Sequence, residues 1–480
     1  MTKLPSLAVV LGTVLLASCR DPNIPDLNNP GLDDLESNPT RLKVVTAAQG
    51  LLVGARLNIA EFNGYVSELG VFGRESYIFD PGDNRFESEL LVGPLDPGGP
   101  RFGGNLWISR YTSIRATNII LNALDNAALT DMPTAEKEAT RGFAQTLQAL
   151  DFLLVINTRD SLGAPIDVNR PLGATLAPFA TRTQVFDHII NLLDSADTHL
   201  GAGGAVFPFQ LSRGFSDFGT FNTPTAFRQF NRALKTRVQV YRGAIEACAA
   251  CFTNARTMLT TAGQTFIDTI LTADTAGLFN RGVYHSFSTG SGDLQNGLFD
   301  PTPAKLYVHP DLLASAETQA VGGQPDRRYL AKVVAVANRV YGQHSSNLAF
   351  RRYASNVASL PIIRNEELIL LRAEANVGLS NLVEAARDIN FIRVNSGGLL
   401  AIASLGVQTQ DSVRRVLVKQ KRYSLLFEGG HSWLDARHYR RAVANLGLPN
   451  QTGDQVFRVM PVPLDECLPR PPAPDPLACP

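Results

Sequence analysis

One C-terminal segment is the most informative about the fold of this chain: Lys419-Gln-Lys-Arg-Tyr-Ser-Leu-Leu-Phe-Glu-Gly-Gly-His-Ser-Trp-Leu-Asp-Ala-Arg-His-Tyr439. Its first half continues a row of residues three or four apart, which predicts a helix with one face turned inward. The members of that face are Val413, Val416, Leu417, Gln420, Ser424 and Phe427. Thr409 or Asp411 can cap the start, and Gly429-Gly430 can end the helix, because glycine adopts the left-handed conformation at little cost.

Three charged residues follow this helix in apolar company. Glu428, Asp435 and Arg437 lie close to Phe427 and Trp433. A charge buried without a partner is strongly unfavourable, so we interpret the three as structural residues held in ion pairs. The alternative is that one of the carboxylates is a catalytic acid or base.

Length and composition fit a large globular protein. The chain has 480 residues, of which 44% are hydrophobic and 18% charged, so it can bury a substantial core. Lys and Arg total 44, as do Asp and Glu, and this balance gives no indication of nucleic acid as a partner.

The N-terminus has the pattern of a lipoprotein signal peptide. Lys3 precedes an apolar run from Leu4 to Leu16, and Leu-Ala-Ser then leads to Cys19. Small residues directly before a cysteine are typical of the bacterial lipobox, so we predict a signal peptide over 1–18 and lipidation of Cys19. The alternative is an ordinary secretory signal with a chance cysteine. Residues 19–39 are predicted to be a tether, and 40–480 a single domain.

Four further cysteines lie in what would be an oxidising compartment. A disulfide between Cys467 and Cys479 would close a short loop in the Pro-rich tail. Cys248 and Cys251 form a Cys-Ala-Ala-Cys motif, for which a local disulfide or two buried thiols both fit, with a redox site as a third alternative. No second pair or suitably spaced histidine supports a zinc site, so no metal is predicted.

Periodicity predicts a mainly α-helical chain interrupted by two irregular regions. The helical segments are 40–60, 105–125, 135–158, 183–200, 231–247 and a pair within 362–395. The irregular regions, 61–104 and 281–360, mix aromatic and charged residues with Gly and Pro, and a few short strands are expected in the second. Long loops of this kind often carry binding function.

The chain resembles the SusD/RagB family of nutrient-binding outer-membrane lipoproteins, and the resemblance covers nearly all of the mature chain. It rests on four motifs: Phe427-Glu428-Gly429, Trp433-Leu434-Asp435-Ala436-Arg437, the block from Leu360-Pro361 to Glu374-Ala375, and Val459-Met-Pro461-Val-Pro463 with Glu466. Two positions usually acidic in that family are Gln420 and Ser424 here, which puts the charge pairing of the helix in doubt.

The resemblance implies a scaffold of tetratricopeptide-like helical hairpins, with the loop-rich region and its short strands carrying the ligand site. It also implies a cell-surface protein that captures glycans or peptides and passes them to a SusC-like TonB-dependent outer-membrane transporter. Aromatic and planar polar side chains of the two irregular regions are then the candidate ligand contacts. They are Arg74, Tyr77, Arg85, Phe86, Trp107, Tyr284, His285, Asp293, Gln295 and Asn296.

No catalytic or cofactor-binding motif stands out in the sequence. It has no nucleophile elbow, no His-Glu-x-x-His and no phosphate-binding loop, so we predict neither an enzyme nor a cofactor. A surface-anchored hydrolase and a stand-alone structural or binding lipoprotein are the alternatives. There are only two tryptophans against 25 phenylalanines, which keeps a peptide or another small nutrient open beside glycans.

Overall fold

The computed structural model describes residues 32–99, 104–171, 173–451, 453–470 and Cys479, with side chains from residue 35 onward. The predicted signal peptide, the lipidation site Cys19 and the first part of the tether lie outside these residues. Within the described part of the chain, no helix combines the length and apolar character needed to cross a membrane.

Helices account for most of the regular structure. Those before residue 281 are α1 Leu32–Ser37, α2 Arg41–Gly54, α3 Tyr65–Phe72, α4 Arg85–Ser88, α5 Asn105–Asp125, α6 Thr134–Arg159, α7 Arg182–Ala202, α8 Pro224–Glu246, α9 Ala249–Thr260 and α10 Thr275–Asn280. Those after it are α11 Asp311–Ala314, α12 Arg327–Lys332, α13 Asn365–Gly378, α14 Leu382–Asn395, α15 Gln410–Ser424, α16 His431–Tyr439 and α17 Leu464–Cys467.

The strands are short and form small antiparallel sheets. They are β1 Ser76–Ile78, β2 Ala164–Pro165, β3 Phe179–Ala180, β4 Gly282–His285, β5 Leu306–Val308, β6 Val333–Tyr341, β7 His344–Phe350 and β8 Leu360–Arg364. The largest sheet has the order β1-β5-β7-β6, so it joins the first irregular region to the second. Strand β4 pairs with β8, and β8 leads directly into the helical hairpin α13–α14.

Consecutive helices pack against one another in antiparallel pairs, which confirms the predicted scaffold of tetratricopeptide-like hairpins. Helix α6 packs on α5 and α7, α8 packs on α7 and α9, and α13 packs on α14 and α15. Threonine side chains cap several of these helices, among them Thr181 before α7 and Thr409 before α15. The fold is therefore mainly α, with the short strands in the connecting regions.

The region 61–104 is more ordered than the sequence predicted. All eight residues of α3 are buried, as are the three residues of β1, which is an edge strand of the largest sheet. Because every face of α3 is covered, its sequence lacks the apolar stripe by which a surface helix is recognised. Helix α15 also ends earlier than predicted, at Ser424. The left-handed residues after it are Phe427, with φ of 58°, and Gly430, with φ of 69°.

Both cysteine pairs are joined. Cys248 and Cys251 form a disulfide across the start of α9, with their Cα atoms 5.3 Å apart. Cys467, the last residue of α17, is bonded to Cys479 in the tail. For the Cys-Ala-Ala-Cys motif, the disulfide replaces the alternative of two buried thiols.

Candidate functional site

The two irregular regions meet beside Phe62. A Cβ atom added to Gly297 would lie 3.1 Å from the Cα atom of Glu61, so the two chain segments run in direct contact. The Phe62 ring is half-buried and lies 6.0 Å from the Phe86 ring, and the ammonium of Lys305 is 4.0 Å from the centre of the Phe62 ring. We call the surface formed by Phe62, Asp293, Gln295, Lys305 and Asn356 the loop face.

A buried arginine fixes one side of the loop face. Arg56 is 6% exposed and lies 2.7 Å from Asp293, and it also donates to the carbonyl of Ser286. Burial raises the pKa of Asp293, but hydrogen bonds from Ser288 and the Leu294 amide together with the Arg56 charge outweigh it, so the pKa is lowered. Asp293 is therefore held as a carboxylate, and the loop that carries it is anchored to the chain after α2.

Two side-chain amides form the polar part of the loop face. Asn356 donates to the Gln295 side chain at 2.7 Å, and Gln295 is exposed. Behind them, Asn296 is buried and donates to the carbonyl of Ala358 at 2.7 Å, which holds the two segments together. Gln295 and Asn356 keep hydrogen-bonding capacity toward a ligand, because each amide has more donor and acceptor sites than this one bond uses.

This arrangement suits a ligand that has both an apolar face and hydroxyl groups. The half-exposed ring of Phe62 can pack against C–H groups, while amides and a carboxylate can pair with hydroxyls. Lys305 is fixed by Asp80 at 2.8 Å, so the ring and its neighbouring charge have defined positions. The loop face can therefore bind a sugar-like molecule, and it contains no arrangement of nucleophile and base.

Of the ten predicted ligand contacts, three reach solvent: Arg85, Asp293 and Gln295. The other seven are buried: Arg74, Tyr77, Phe86, Trp107, Tyr284, His285 and Asn296. The structure brings Asp293, Gln295 and Asn296 together on or under the loop face, with Phe86 behind Phe62. Because these seven side chains are buried, they do not face a ligand in this structure.

Arg74 and Tyr77 hold the C-terminal segment instead of facing solvent. The Arg74 guanidinium donates to the carbonyls of Pro449 at 3.1 Å and Gln455 at 2.9 Å, and it is fully buried. Tyr77 stacks on Phe79 with ring centres 5.2 Å apart. Both residues were predicted from their position in an irregular region, but that region forms part of the core.

The remaining buried candidates also have partners within the protein. The Trp107 indole donates to Glu466 at 3.3 Å, and the Tyr284 hydroxyl donates to the carbonyl of Asn280 at 2.6 Å. Burial, with a smaller contribution from the charge of Arg56, lowers the pKa of His285 to about 3, so this imidazole is neutral. These side chains stabilise the connecting regions.

Sequence reasoning missed Phe62, Lys305 and Asn356. A weak signal for Phe62 was present, because it is an aromatic residue in the otherwise polar turn Glu61-Phe-Asn-Gly64. Lys305 and Asn356 gave no comparable signal, since their roles come from contacts distant in sequence.

The signature residue Glu428 lies in a buried ion cluster. Its carboxylate is 2.8 Å from Arg364, 2.9 Å from Lys332 and 3.2 Å from Arg352. Burial raises the pKa of Glu428, but these three cations outweigh it and hold the pKa well below its usual range. Burial lowers the pKa of Lys332 to about 8. The cluster lines a cleft of about 740 Å³ between α10, α12 and the end of α14.

Asp435 and Arg437 are not paired with Glu428 or with each other. Asp435 forms an ion pair with Lys421, whose ammonium is also 2.7 Å from the Glu374 carboxylate. Burial raises the pKa of Asp435 to about 7 despite the Lys421 charge. Arg437 donates to two carbonyls and lies 3.8 Å above the Trp433 ring, and burial lowers its pKa to about 10.

The residues around the Lys421 ammonium include a candidate metal site. Glu374, Asp435 and His438 have potential ligand atoms within 4.8 Å of one another. Lys421 is bonded to both of these carboxylates, so a cation already occupies the position between them. The donor set therefore fits an ammonium group, and we assign it a structural role.

Comparisons with known proteins bear on the fold. No family model and no curated protein matches the sequence. Among solved structures, a SusD-like carbohydrate-binding protein from Bacteroides fragilis is 14% identical, with 91% of this chain and 98% of that chain covered at a TM-score of 0.65. Surface glycan-binding protein A from Bacteroides thetaiotaomicron, solved with laminarihexaose, is 12% identical, with 89% and 97% covered at a TM-score of 0.64.

A third solved structure agrees with these two. It is a SusD superfamily protein from Bacteroides vulgatus, 14% identical, with 88% of this chain and 96% of that chain covered at a TM-score of 0.64. Identities this low carry information on fold alone, and the coverage extends over almost the full length of all three proteins. The chain therefore has the SusD-like fold.

Proposed function

We propose that this protein is a cell-surface glycan-binding lipoprotein that captures its ligand without chemical turnover. The observation that carries the proposal is the fold, which this chain shares over almost the full length of a carbohydrate-binding protein and of a protein solved with laminarihexaose. A fold can serve several functions, so the proposal also needs a suitable site.

The loop face is the site that we propose for glycan binding. It combines the half-exposed ring of Phe62 with the amides of Gln295 and Asn356 and the carboxylate of Asp293. Sugar rings present C–H faces and hydroxyl edges, and these are the groups that such side chains bind. The buried Arg56 and Asn296 position these residues before a ligand arrives, which lowers the cost of ordering them on binding.

We further propose that the protein is anchored in the outer membrane through Cys19 and delivers its ligand to a TonB-dependent transporter. The lipobox pattern supports the anchor, and the resemblance to the SusD/RagB family supports the partner. The folded domain would then lie at the cell surface, where glycans are available.

Titration calorimetry on the purified full chain tests glycan binding. The panel would contain laminarihexaose, other neutral oligosaccharides and short peptides, and each mixture would be analysed for cleavage products. We expect a saturable heat with at least one glycan and an unchanged ligand afterwards. Cleaved ligand would favour the hydrolase alternative, and binding of peptides alone would contradict the glycan assignment.

Affinity purification of the tagged protein from its own cells in mild detergent tests the partner. A TonB-dependent transporter in comparable amount is the expected result. Recovery of the lipoprotein alone, from a preparation in which other membrane complexes stay intact, would contradict delivery to a transporter while leaving glycan binding unaffected.

A further inference from the structure

A second cleft, of about 510 Å³, lies between α15, α16, the turn after α16 and the short helix α11. Four cationic side chains line it: Arg415, Lys419, Arg422 and Arg440. The lining contains a single carboxylate, that of Asp311. We call this the cationic cleft. None of its residues belongs to the loop face.

Helix geometry explains why these charges converge. Arg415, Lys419 and Arg422 are spaced four and three residues apart, so they lie along one face of α15. Ser432, Ala436 and Arg440 are four residues apart and bring one face of α16 and its last turn toward the same cleft. Like charges at this spacing repel one another, which is unfavourable unless an anion offsets them.

The protein's own carboxylates offset this charge only in part. Arg422 is 2.7 Å from Asp311, Arg415 is 3.0 Å from Asp411, and Lys419 is 3.8 Å from Glu317. The Arg415–Asp411 pair is exposed on both sides, and the Lys419–Glu317 pair is long and partly exposed, so both are weak.

Arg440 donates to the carbonyl of Gly447 at 2.9 Å, and no carboxylate of the described residues pairs with it. Arg422 is already engaged within the protein, because it pairs with Asp311 and also donates to the carbonyl of Arg74 at 3.2 Å. The positive charge of Arg440 thus remains at the wall of the cleft, together with Lys419, whose pairing with Glu317 is weak.

The cleft also has an apolar wall. Val418, Ala436, Leu448 and Pro449 line it beside the cations. Its volume falls within the range of small-molecule sites, which are mostly apolar with a few polar groups that fix orientation. A ligand that fits this lining has a compact body with C–H surface and an oxyanion at one end.

We propose that the cationic cleft binds the carboxylate or sulfate group of a small acidic saccharide, with Arg440 and Lys419 as its main ionic partners. Arginine suits this role, because its planar guanidinium matches the paired oxygens of carboxylate and sulfate groups. The assignment concerns a second site and is separate from glycan binding at the loop face.

Titration calorimetry with the purified full chain tests the proposal. The probes are glucuronic acid, N-acetylglucosamine 6-sulfate, glucose and inorganic sulfate. We expect one or both acidic sugars to bind, glucose to bind at most weakly, and rising salt concentration to weaken the acidic sugars. The two acidic sugars distinguish a carboxylate site from a sulfate site.

The variants Arg440→Gln and Lys419→Gln place the binding in this cleft. Arg440→Gln should weaken the acidic sugar at least about tenfold, because a hydrogen bond to a charged group is lost. Arg213→Gln is the control, since Arg213 does not line the cleft and forms an exposed pair with Asp217. Circular dichroism would show that each variant is folded.

Three results would overturn the proposal. They are no binding of either acidic sugar, equal affinity for inorganic sulfate and the sugars, and affinities unchanged in both Arg440→Gln and Lys419→Gln. Failure here leaves the neutral-glycan titration of the loop face intact, and failure of that titration leaves this one intact, so the two can be told apart.

Discussion

Arg364 holds Glu428 in the interior, with its Nε atom 2.8 Å from a carboxylate oxygen, and both side chains are only 3% exposed. Arg364 is the last residue of β8 and directly precedes the helical hairpin α13–α14, whereas Glu428 lies between α15 and α16. The pair therefore ties the hairpin to the C-terminal helices. Lys332 joins them from the end of α12, so three separate segments depend on one carboxylate.

Replacing this carboxylate should strongly destabilise the protein. Glu428→Gln leaves Arg364, Lys332 and Arg352 buried with too little negative charge, and removing one partner from such a cluster costs about 3–5 kcal/mol. Urea unfolding followed by circular dichroism would measure the change. Asp411→Asn, which breaks an exposed pair with Arg415, is the control and should change the free energy of unfolding by less than about 1 kcal/mol. Equal effects of the two substitutions would contradict this role.

His344 gives the protein a pH-dependent connection. Its two ring nitrogens lie 2.9 Å from Glu87 and 2.9 Å from Asp454, and the side chain is 1% exposed. Burial lowers the pKa of His344, but hydrogen bonds and charges from Asp454 and Glu87 outweigh it, so the pKa is raised above 6.5. The imidazolium thus links α4, the β6–β7 hairpin and the C-terminal segment.

The sign of the pH dependence follows from that direction. A raised pKa means that the folded state binds the proton more tightly, so this stabilisation is fully present below about pH 6.5 and is lost as the pH rises through the folded-state pKa. We expect the stability difference between wild type and His344→Asn to shrink with rising pH, measured by urea unfolding across neutral pH. Glu87→Gln should reduce the dependence, and a pH-independent difference would contradict it.

The helices could be predicted because their buried faces repeat at helical spacing. In α5, α7 and α15 one face packs on a neighbour and the other meets water, so apolar residues recur at helical spacing in the sequence. Helix α3 has no such repeat, because it is covered on all sides. The SusD-like fold followed from motifs near the C-terminus, whose charged residues form the buried clusters around Glu428 and Lys421.

The ligand site was harder to predict, because exposure of a loop aromatic depends on partners far away in sequence. Tyr77 is buried by His309 and His344, and neither contact can be read from the residues around it. The many phenylalanines likewise serve the core. Phe143, for example, packs ring to ring with Phe209 and Phe227 at 5.0 and 5.6 Å. The abundance of phenylalanine therefore says little about the ligand.

The predicted lipid anchor has a direct test. If Cys19 carries the acyl chains, Cys19→Ala removes the anchor, and the protein should move from the membrane to the soluble fraction after cell lysis. Immunoblotting of both fractions measures this. Cys467→Ala is a control, because it removes a cysteine of the tail without changing the lipobox. Unchanged membrane recovery of Cys19→Ala would contradict lipidation at this residue.

Glycan binding at the loop face should depend most strongly on Phe62. Its half-exposed ring is the apolar surface beside the amides of Gln295 and Asn356, so Phe62→Ala should weaken glycan affinity about fivefold to tenfold. Phe391→Ala is the matched control, because Phe391 is a half-buried phenylalanine on the hairpin α13–α14 and should leave affinity unchanged. Calorimetry on folded variants provides the comparison.

The variant Gln295→Ala tests whether the glycan binds at the loop face or elsewhere on the protein. Gln295→Ala removes an exposed amide that has little part in the core, so a loss of affinity there reports ligand contact and not damage to the fold. Wild-type binding that survives in both Phe62→Ala and Gln295→Ala would place the glycan elsewhere on the protein. Weakening in both variants but not in Phe391→Ala would mean that the Phe62 ring and the Gln295 amide contact the same ligand. The two irregular regions touch at Glu61 and Gly297, so their side chains are close enough for this.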